Sequence, residues 1–164
     1  MKIRLFGIVN DSIVDGLGLR TAIFTQGCVH NCEGCHNPES HNVNGGKLYD
    51  VEDVIDLINE NPLCDGITFT GGDPFLQAEE CAYIAEKVNL NVWTYTGYTW
   101  EEIIQNEKFM KFLKVTDVLV DGKFELDKRS LELTFKGSSN QRIIDVKRSL
   151  ELGRVILFDN VQNR

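Results

Sequence analysis

The sequence lacks an apolar run long enough to cross a membrane, which takes about 18 consecutive apolar residues. Apolar stretches near the N-terminus are short and are interrupted by Asn10, Asp11 and Asp15. The chain also lacks internal repeats, low-complexity segments, linkers and a secretory signal. Its length of 164 residues predicts a single domain over residues 1–164, and its five cysteines without a signal predict a reducing, cytoplasmic location.

Basic residues are in the minority. The chain has 17 Lys and Arg against 25 Asp and Glu, which gives a net charge of −8. Because binding to nucleic-acid phosphates needs clustered Lys and Arg, this balance argues against a nucleic-acid partner. A hydrophobic content of 42% and a charged content of 26% are ordinary for a globular domain with a real core.

The most informative absence is that of a fourth cysteine beside three that lie close together. Cys28, Cys32 and Cys35 have the spacing C-x3-C-x2-C, and so short a segment, with Gly34 and Pro38, predicts a loop. Iron–sulfur cubes are usually held by four cysteines. Three cysteines would leave one iron open to a ligand that is not protein, and an open position is what a catalytic metal site needs.

Two other interpretations of these cysteines stay open on spacing alone. A structural zinc site would add His30, His36 or His41 as a fourth ligand, and would make the protein an interaction module without catalysis. A disulfide framework is disfavoured because an odd number of cysteines leaves one thiol unpaired. The remaining cysteines, Cys64 and Cys81, are interpreted as small apolar residues of the core.

Segments rich in β-branched and aromatic residues alternate with amphipathic helices along the chain. Strands are predicted over residues 21–26, 66–70, 91–96, 117–121 and 155–158. Helices are predicted after the N-cap Asp50, over residues 76–88, and from a capping box at Thr99 to about residue 114. Residues 2–14 are interpreted as an extended leader or a short strand.

This alternation predicts parallel βαβ units and an α/β fold. One such unit takes roughly 30 residues or more, so a chain of 164 residues does not complete an eight-unit barrel. We therefore expect a partial, open parallel (βα) barrel, whose wide mouth suits a substrate that is part of another protein. The cysteine loop follows the first core strand directly, at the strand end where parallel α/β folds carry their chemistry.

The cysteine spacing resembles the cluster motif of the radical S-adenosylmethionine (radical SAM) enzymes. Over most of its length the chain more closely resembles the small activating proteins of anaerobic ribonucleotide reductase, whose signature tail is similar to residues 137–145. The resemblance implies that Cys28, Cys32 and Cys35 hold a [4Fe–4S] cluster whose open iron binds the amino and carboxylate groups of SAM. One electron then breaks the S–C5′ bond, and the 5′-deoxyadenosyl radical takes a hydrogen atom from a glycine of the reductase.

The same resemblance implies a set of residues around SAM. Gly71-Gly72-Asp73 follows the second predicted strand and is similar to the Gly-Gly-Glu motif that receives the SAM amino group, with aspartate one methylene shorter than glutamate. Asp121 and Lys123 match an Asp-x-Lys that contacts SAM in a related activase family. The expected cofactor-binding residues are Gly34, His36, Gly71, Gly72, Asp73, Asp121 and Lys123.

Three further residues have two interpretations each. Residues 15–20 are similar to the Asp-Gly-Pro-Gly-x-Arg loop of glycyl-radical activating enzymes, with Leu17 in place of proline. Arg20 is therefore either part of that loop's function or a surface charge. Tyr95 and Tyr98, at a Thr-Gly-Tyr that family members share, either line the pocket or pack in the core.

The resemblance also implies partners. The protein substrate is the large subunit of anaerobic ribonucleotide reductase, and the electron donor is a protein such as flavodoxin. A homodimer is left open, and neither a nucleic acid nor a membrane is expected. An alternative protein substrate is another glycyl-radical enzyme of the pyruvate formate-lyase type, against which the short chain and residues 139–142 argue.

Overall fold

The computed structural model describes residues 1–35 and 38–159. Its strands are β1 (Lys2–Ser12), β2 (Arg20–Thr25), β3 (Lys47–Asp50), β4 (Gly66–Gly71), β5 (Asn91–Tyr95), β6 (Val118–Asp121) and β7 (Arg142–Asp145). Its helices are α1 (Val51–Asn59), α2 (Ala78–Val88), α3 (Trp100–Ile103), α4 (Glu107–Leu113) and α5 (Val146–Leu152).

Over the described residues the strands form one sheet in the order β3-β1-β2-β4-β5-β6-β7. The central strands β2, β4, β5 and β6 are parallel to one another. By contrast, β1, β3 and β7 pair antiparallel with their neighbours. The predicted α/β class with parallel strands is confirmed, and the antiparallel margins make the sheet mixed. The closure of this sheet into a partial barrel stays a prediction.

The margins of the sheet are where the sequence-based predictions are wrong. Residues 155–158 do not form a strand, because within them only Leu157 makes a bridge, to Ile144. The marginal strand is instead β7, which carries only two apolar residues between Arg142 and Asp145 and so gives a weak periodic signal. The predicted extended leader contains β1, an eleven-residue strand paired with β2.

Local capping signals decide the helix boundaries. Asp50 caps α1 and the capping box at Thr99 opens α3, as predicted. The third predicted helix is nevertheless two helices. It is interrupted because Asn106 acts as a second N-cap, accepting the backbone N–H groups of Lys108 and Phe109. No helix in the described part of the chain has the length and apolarity that a membrane span needs.

The parallel strands are buried on both faces. In β6, Leu119 belongs to a large core with α1, α2 and α4, whereas Val118 and Val120 belong to a second apolar cluster. That division follows from the alternation of side chains along a strand. Trp93 and Ile143 complete the second cluster. The two cores hold β2, β4, β5 and β6 in register, so that their carboxyl ends lie along one edge of the sheet.

Arg20 is a buried structural residue at the start of β2. Its guanidinium donates to Thr68 Oγ1 at 2.8 Å and to the carbonyl oxygens of Leu17 at 2.8 Å, Ile67 at 2.7 Å and Asn91 at 2.9 Å. Burial lowers the pKa of Arg20 to about 10. The interpretation as a surface charge is therefore wrong. Arg20 also lies at the opposite end of β2 from the cysteine loop.

We expect Arg20→Met to lower the free energy of unfolding by at least about 3 kcal/mol, because shielded carbonyl oxygens lose a charged donor. Urea unfolding of the cluster-free protein measures the change. The matched control is Arg148→Met, which removes an exposed ion pair with Asp159 and should cost less than about 0.5 kcal/mol. Equal losses in the two variants would contradict the structural role of Arg20.

Candidate functional site

The cysteine loop begins where β2 ends and is fixed at its base by backbone hydrogen bonds. The Gly27 N–H donates to the Ser40 carbonyl at 2.6 Å, and the Cys28 N–H donates to the His41 carbonyl at 3.1 Å. The Gly27 carbonyl in turn accepts the Asp73 N–H at 2.7 Å. The first cysteine is therefore held directly beside the turn that follows β4.

The three thiols of the loop line one small cavity. Cys28, Cys32 and Cys35 are unpaired and partly buried, and the cavity that they share has a volume of about 110 Å³. Gly71 and Gly72 from the end of β4 line the same cavity. The structure thus brings together the three predicted metal ligands and two of the predicted SAM-binding residues. His36, another predicted residue, lies outside the described residues.

Backbone N–H groups are directed at the sulfur atoms. Burial raises the pKa of the Cys28 thiol, and hydrogen bonds from the backbone N–H groups of His30 and Asn31 oppose that rise. Burial likewise raises the pKa of Cys32, against a hydrogen bond from the Phe124 N–H. Donors of this kind stabilise negative charge on sulfur, and hydrogen bonds to the sulfurs are one of the factors that set the potential of an iron–sulfur cluster.

His41 contacts the third cysteine, with its Nε2 at 3.3 Å from Cys35 Sγ. Within residues 1–35 and 38–159, no three His, Cys, Asp or Glu side chains lie close enough to surround one metal ion. An iron–sulfur cube does not need three ligands around one metal ion, because each thiolate binds a separate iron atom. The donor set of three thiols with N–H groups directed at two of them fits such a cube with one iron left open.

Gly71, the last residue of β4, and Gly72, which follows it, form a wall without side chains. Gly71 has a φ of +103°, and a Cβ atom there would lie 2.6 Å from the backbone N and O of Thr25. A Cβ atom on Gly72 would clash with the carbonyl groups of Gly27 and Ser40. Both positions require glycine, and a ligand in the cavity meets bare backbone there.

Asp73 lies behind this wall, fully buried. Its Oδ1 accepts the Phe75 N–H at 3.1 Å and the Thr96 hydroxyl at 2.9 Å. Its Oδ2 accepts the Gly97 N–H at 3.0 Å and lies 2.5 Å from Nε2 of His30. The carboxylate is 0% exposed, so it faces the protein and does not line the cavity.

Asp121 at the end of β6 and Lys123 in the loop that follows it line a neighbouring, larger cavity of about 750 Å³. Asp121 is buried and accepts the Trp100 N–H at 2.8 Å and the Arg142 guanidinium at 2.5 Å and 3.0 Å. This pairing raises the pKa of Arg142 above its ordinary value. Lys123 is exposed on the rim, where its charge partly opposes the rise in the pKa of Cys32 that burial causes.

Asn140 and Gln141 belong to the tail segment for which the sequence indicates no chemical role. In the structure their side chains hold the loop after β6. The side-chain amide of Asn140 donates to the Lys123 carbonyl at 2.8 Å, and that of Gln141 donates to the Gly122 carbonyl at 2.9 Å. Residues 140–142 therefore hold the end of β6 at Asp121 and the loop after it that carries Lys123.

Gly34 lies outside the lining of the cavity that the thiols share, and it packs against the segment after β6. Its φ is +73°, and a Cβ atom there would lie 2.8 Å from Leu126 and 3.4 Å from the Phe124 ring. The glycine lets the cysteine loop approach the segment after β6. Phe124 itself lines the cavity with the cysteines, a position that the spacing of the motifs does not reveal.

The two tyrosines with open interpretations have different positions. Tyr95 lines the cavity, and its buried hydroxyl has no hydrogen-bond partner in the described part of the chain. Burial raises the pKa of that phenol well above its ordinary value. Tyr98 instead packs edge-on against the His30 ring, with ring centroids 4.6 Å apart, and against Phe109. His30, expected only as an alternative zinc ligand, is thus part of the site's framework.

Comparison with known sequences first gives the class of protein. The family described as "4Fe-4S single cluster domain" matches residues 14–144. The chain therefore belongs to a class of proteins that carry one [4Fe–4S] cluster.

Similar proteins then define the family. The anaerobic ribonucleoside-triphosphate reductase-activating protein of Enterobacteria phage T4 is 35% identical over 79% of this chain and 86% of its own length. Its counterparts in Escherichia coli K12 and Pasteurella multocida are 38% and 36% identical over 79% and 80% of this chain, and over 90% of each relative. This chain belongs to the family of anaerobic ribonucleoside-triphosphate reductase-activating proteins.

Among solved structures, the crystal structure of QueE from Escherichia coli is similar to part of the chain. The TM-score is 0.49 at 16% sequence identity, over 60% of this chain and 54% of QueE.

We expect Gly71→Ala to lower the free energy of unfolding by roughly 1–3 kcal/mol, because alanine is strained at this φ and its Cβ meets the backbone of Thr25. Urea unfolding of the cluster-free protein measures the loss. Gly7→Ala is the matched control, since a Cβ atom on Gly7 meets nothing within 4 Å. If the two variants lose equal stability, Gly71 is not the required glycine that we describe.

Proposed function

We propose that this protein reductively cleaves SAM and uses the resulting 5′-deoxyadenosyl radical to take a hydrogen atom from a glycine of anaerobic ribonucleotide reductase. The products are methionine, 5′-deoxyadenosine and a glycyl radical on the reductase. The observation that carries the proposal is the shared cavity of the three thiols and the bare Gly71–Gly72 backbone. The other two cysteines do not compete, since Cys81 is buried in α2 and Cys64 bonds the Gly66 carbonyl at the other strand end.

In this proposal Cys28, Cys32 and Cys35 hold the [4Fe–4S] cluster, which when bound supplies the single electron for breaking the S–C5′ bond. The chain's own residues bind, orient and shield, as is general for cofactor enzymes. N–H groups of His30, Asn31 and Phe124 stabilise charge on the thiolates. A half-buried site excludes much of the water that would otherwise surround a reactive radical.

We assign the predicted SAM-binding residues to two walls of one site. Gly71 and Gly72 offer backbone to the amino-acid end of SAM. Gly34 and His36 stay assigned to SAM from their places in the sequence of the cysteine loop. Lys123 offers a positive charge to oxygens of the carboxylate or ribose from the rim of the larger cavity. Asp73 and Asp121 frame SAM from behind, because protein donors already engage their carboxylates. The whole chain acts as one radical SAM domain in the form of a partial barrel.

The larger cavity, which shares Gly97 and Gly122 with the cysteine cavity, suits a peptide segment that brings a glycine to SAM. The names of the similar proteins support anaerobic ribonucleotide reductase as the partner. The remaining partner assignment is a reduced electron donor such as flavodoxin, and the homodimer stays open. The site of action is the cytoplasm.

The experiment is product analysis under strict anaerobiosis. Protein reconstituted with iron and sulfide receives dithionite and SAM, and we expect methionine and 5′-deoxyadenosine in equal amounts. Cys32→Ala should lose both products because a cube corner is left without its ligand. The matched control Cys64→Ala should keep them, since Cys64 lies at the other end of the sheet.

A second stage separates the protein substrates and the metal. We expect the glycyl-radical signal in electron paramagnetic resonance (EPR) when the reductase is added, and none with a pyruvate formate-lyase type enzyme. Intact SAM with an iron-loaded wild-type protein would refute the radical chemistry. Uptake of zinc in place of iron, with His41 as a ligand, would support the alternative of a structural module.

A further inference from the structure

We propose that His30 and Asp73 form a positioning pair that locks the cysteine loop onto the strand ends that bind SAM. In this assignment Asp73 acts through His30 and does not touch SAM. The link to SAM rests on the proposed function, whereas the lock itself is a property of the folded chain. His30 lies between the first two cysteines, and Asp73 follows the Gly71–Gly72 wall.

The contact between the two side chains is short and shielded from water. His30 Nε2 and Asp73 Oδ2 are 2.5 Å apart, and the side chains are 5% and 0% exposed. Because a carboxylate only accepts hydrogen bonds, Nε2 is the atom that carries the proton. A hydrogen bond to a carboxylate is stronger than a neutral one, and burial strengthens it further.

The acceptor capacity of Asp73 is already filled by the protein. A carboxylate has about four lone-pair positions. Donors from Phe75, Thr96, Gly97 and His30 use them. The ammonium group of SAM would have to displace one of these donors from a buried position. The positions of the donors show instead that Asp73 joins three loops, those that follow β2, β4 and β5.

The His30 ring is held in a slot that the chain builds for it. A Cβ atom on Gly97 would lie 2.5 Å from Cδ2 of the ring, so glycine at this position makes room for the histidine. Tyr98 closes the slot with an edge contact at 4.6 Å. His30 lies two residues after Cys28 in the same loop. Fixing the ring therefore also restrains the backbone beside the first cluster ligand.

A matched pair of substitutions at His30 tests the lock. Glutamine places an N–H donor near the position of Nε2, whereas leucine fills similar space without one. In the reconstituted protein we expect His30→Leu to raise the SAM concentration that half-saturates cleavage by roughly tenfold or more, and His30→Gln to raise it by less than about threefold. The SAM-induced change in the EPR spectrum of the reduced cluster should weaken in the same order.

Hydrogen exchange in the cluster-free protein tests the lock without any SAM chemistry. His30→Leu and Asp73→Asn should each speed the exchange of amides in residues 28–35, and the double variant should be no faster than the faster single variant. Asp117→Asn is the control, because Asp117 holds the Val92 N–H at the opposite strand ends and should leave that exchange unchanged. If wild-type protein leaves SAM intact, the proposed function fails while this comparison still decides about the lock.

If His30→Leu does not fold, two further variants test the same hydrogen-bonded pair. Gly97→Ala should mimic it, because the added methyl group displaces the ring. Asp73→Glu restores the carboxylate length of the Gly-Gly-Glu motif, and we expect it to impair SAM binding because the longer side chain does not fit among four donors. The inference is overturned if Asp73→Glu binds SAM as well as wild type, or if His30→Leu and His30→Gln behave alike.

Discussion

The parallel pairing of β2 with β4, in the register that places Thr25 opposite Gly71, is the constraint on which the site depends. Because both strands end at this pair, the chain leaves the sheet twice at the same place. One exit carries the cysteines and the other carries the two glycines. The hydrogen bond from the Asp73 N–H to the Gly27 carbonyl joins the exits at 2.7 Å. A cavity shared by thiols and bare backbone follows from this register.

The two aspartates of the site are buried, whereas its lysine is exposed, so their charges have different roles. Asp73 and Asp121 are buried and engaged by donors from neighbouring loops, so their charge is used to hold the loops together. Lys123 is exposed beside the larger cavity and lies close enough to affect Cys32. The larger cavity is also lined by Arg142 and by the carboxylates of Glu101, Glu102 and Glu125. The two buried aspartates therefore belong to the framework, whereas the rim of the larger cavity carries charges of both signs.

Signals that are local in sequence predicted much of this structure. Periodicity located β2, β4, β5 and β6, and caps located the starts of α1 and α3, because these depend on neighbouring residues. Most partners of Arg20 and Asp73 lie 23 to 71 positions away, and the sequence does not reveal them. Likewise β7 is defined by its pairing with β6 and not by its four residues. Spacing identified the three cysteines, whereas His30 needed the fold.

In the proposed function, three thiolates hold a cube whose fourth iron is open to SAM. Mössbauer spectroscopy of protein reconstituted with ⁵⁷Fe, recorded with and without SAM, tests it most directly. We expect about four irons per chain, one of which changes its spectrum when SAM is added while the other three do not. A spectrum that SAM leaves unchanged, or a protein that takes up zinc and no iron, would show that no such open iron exists.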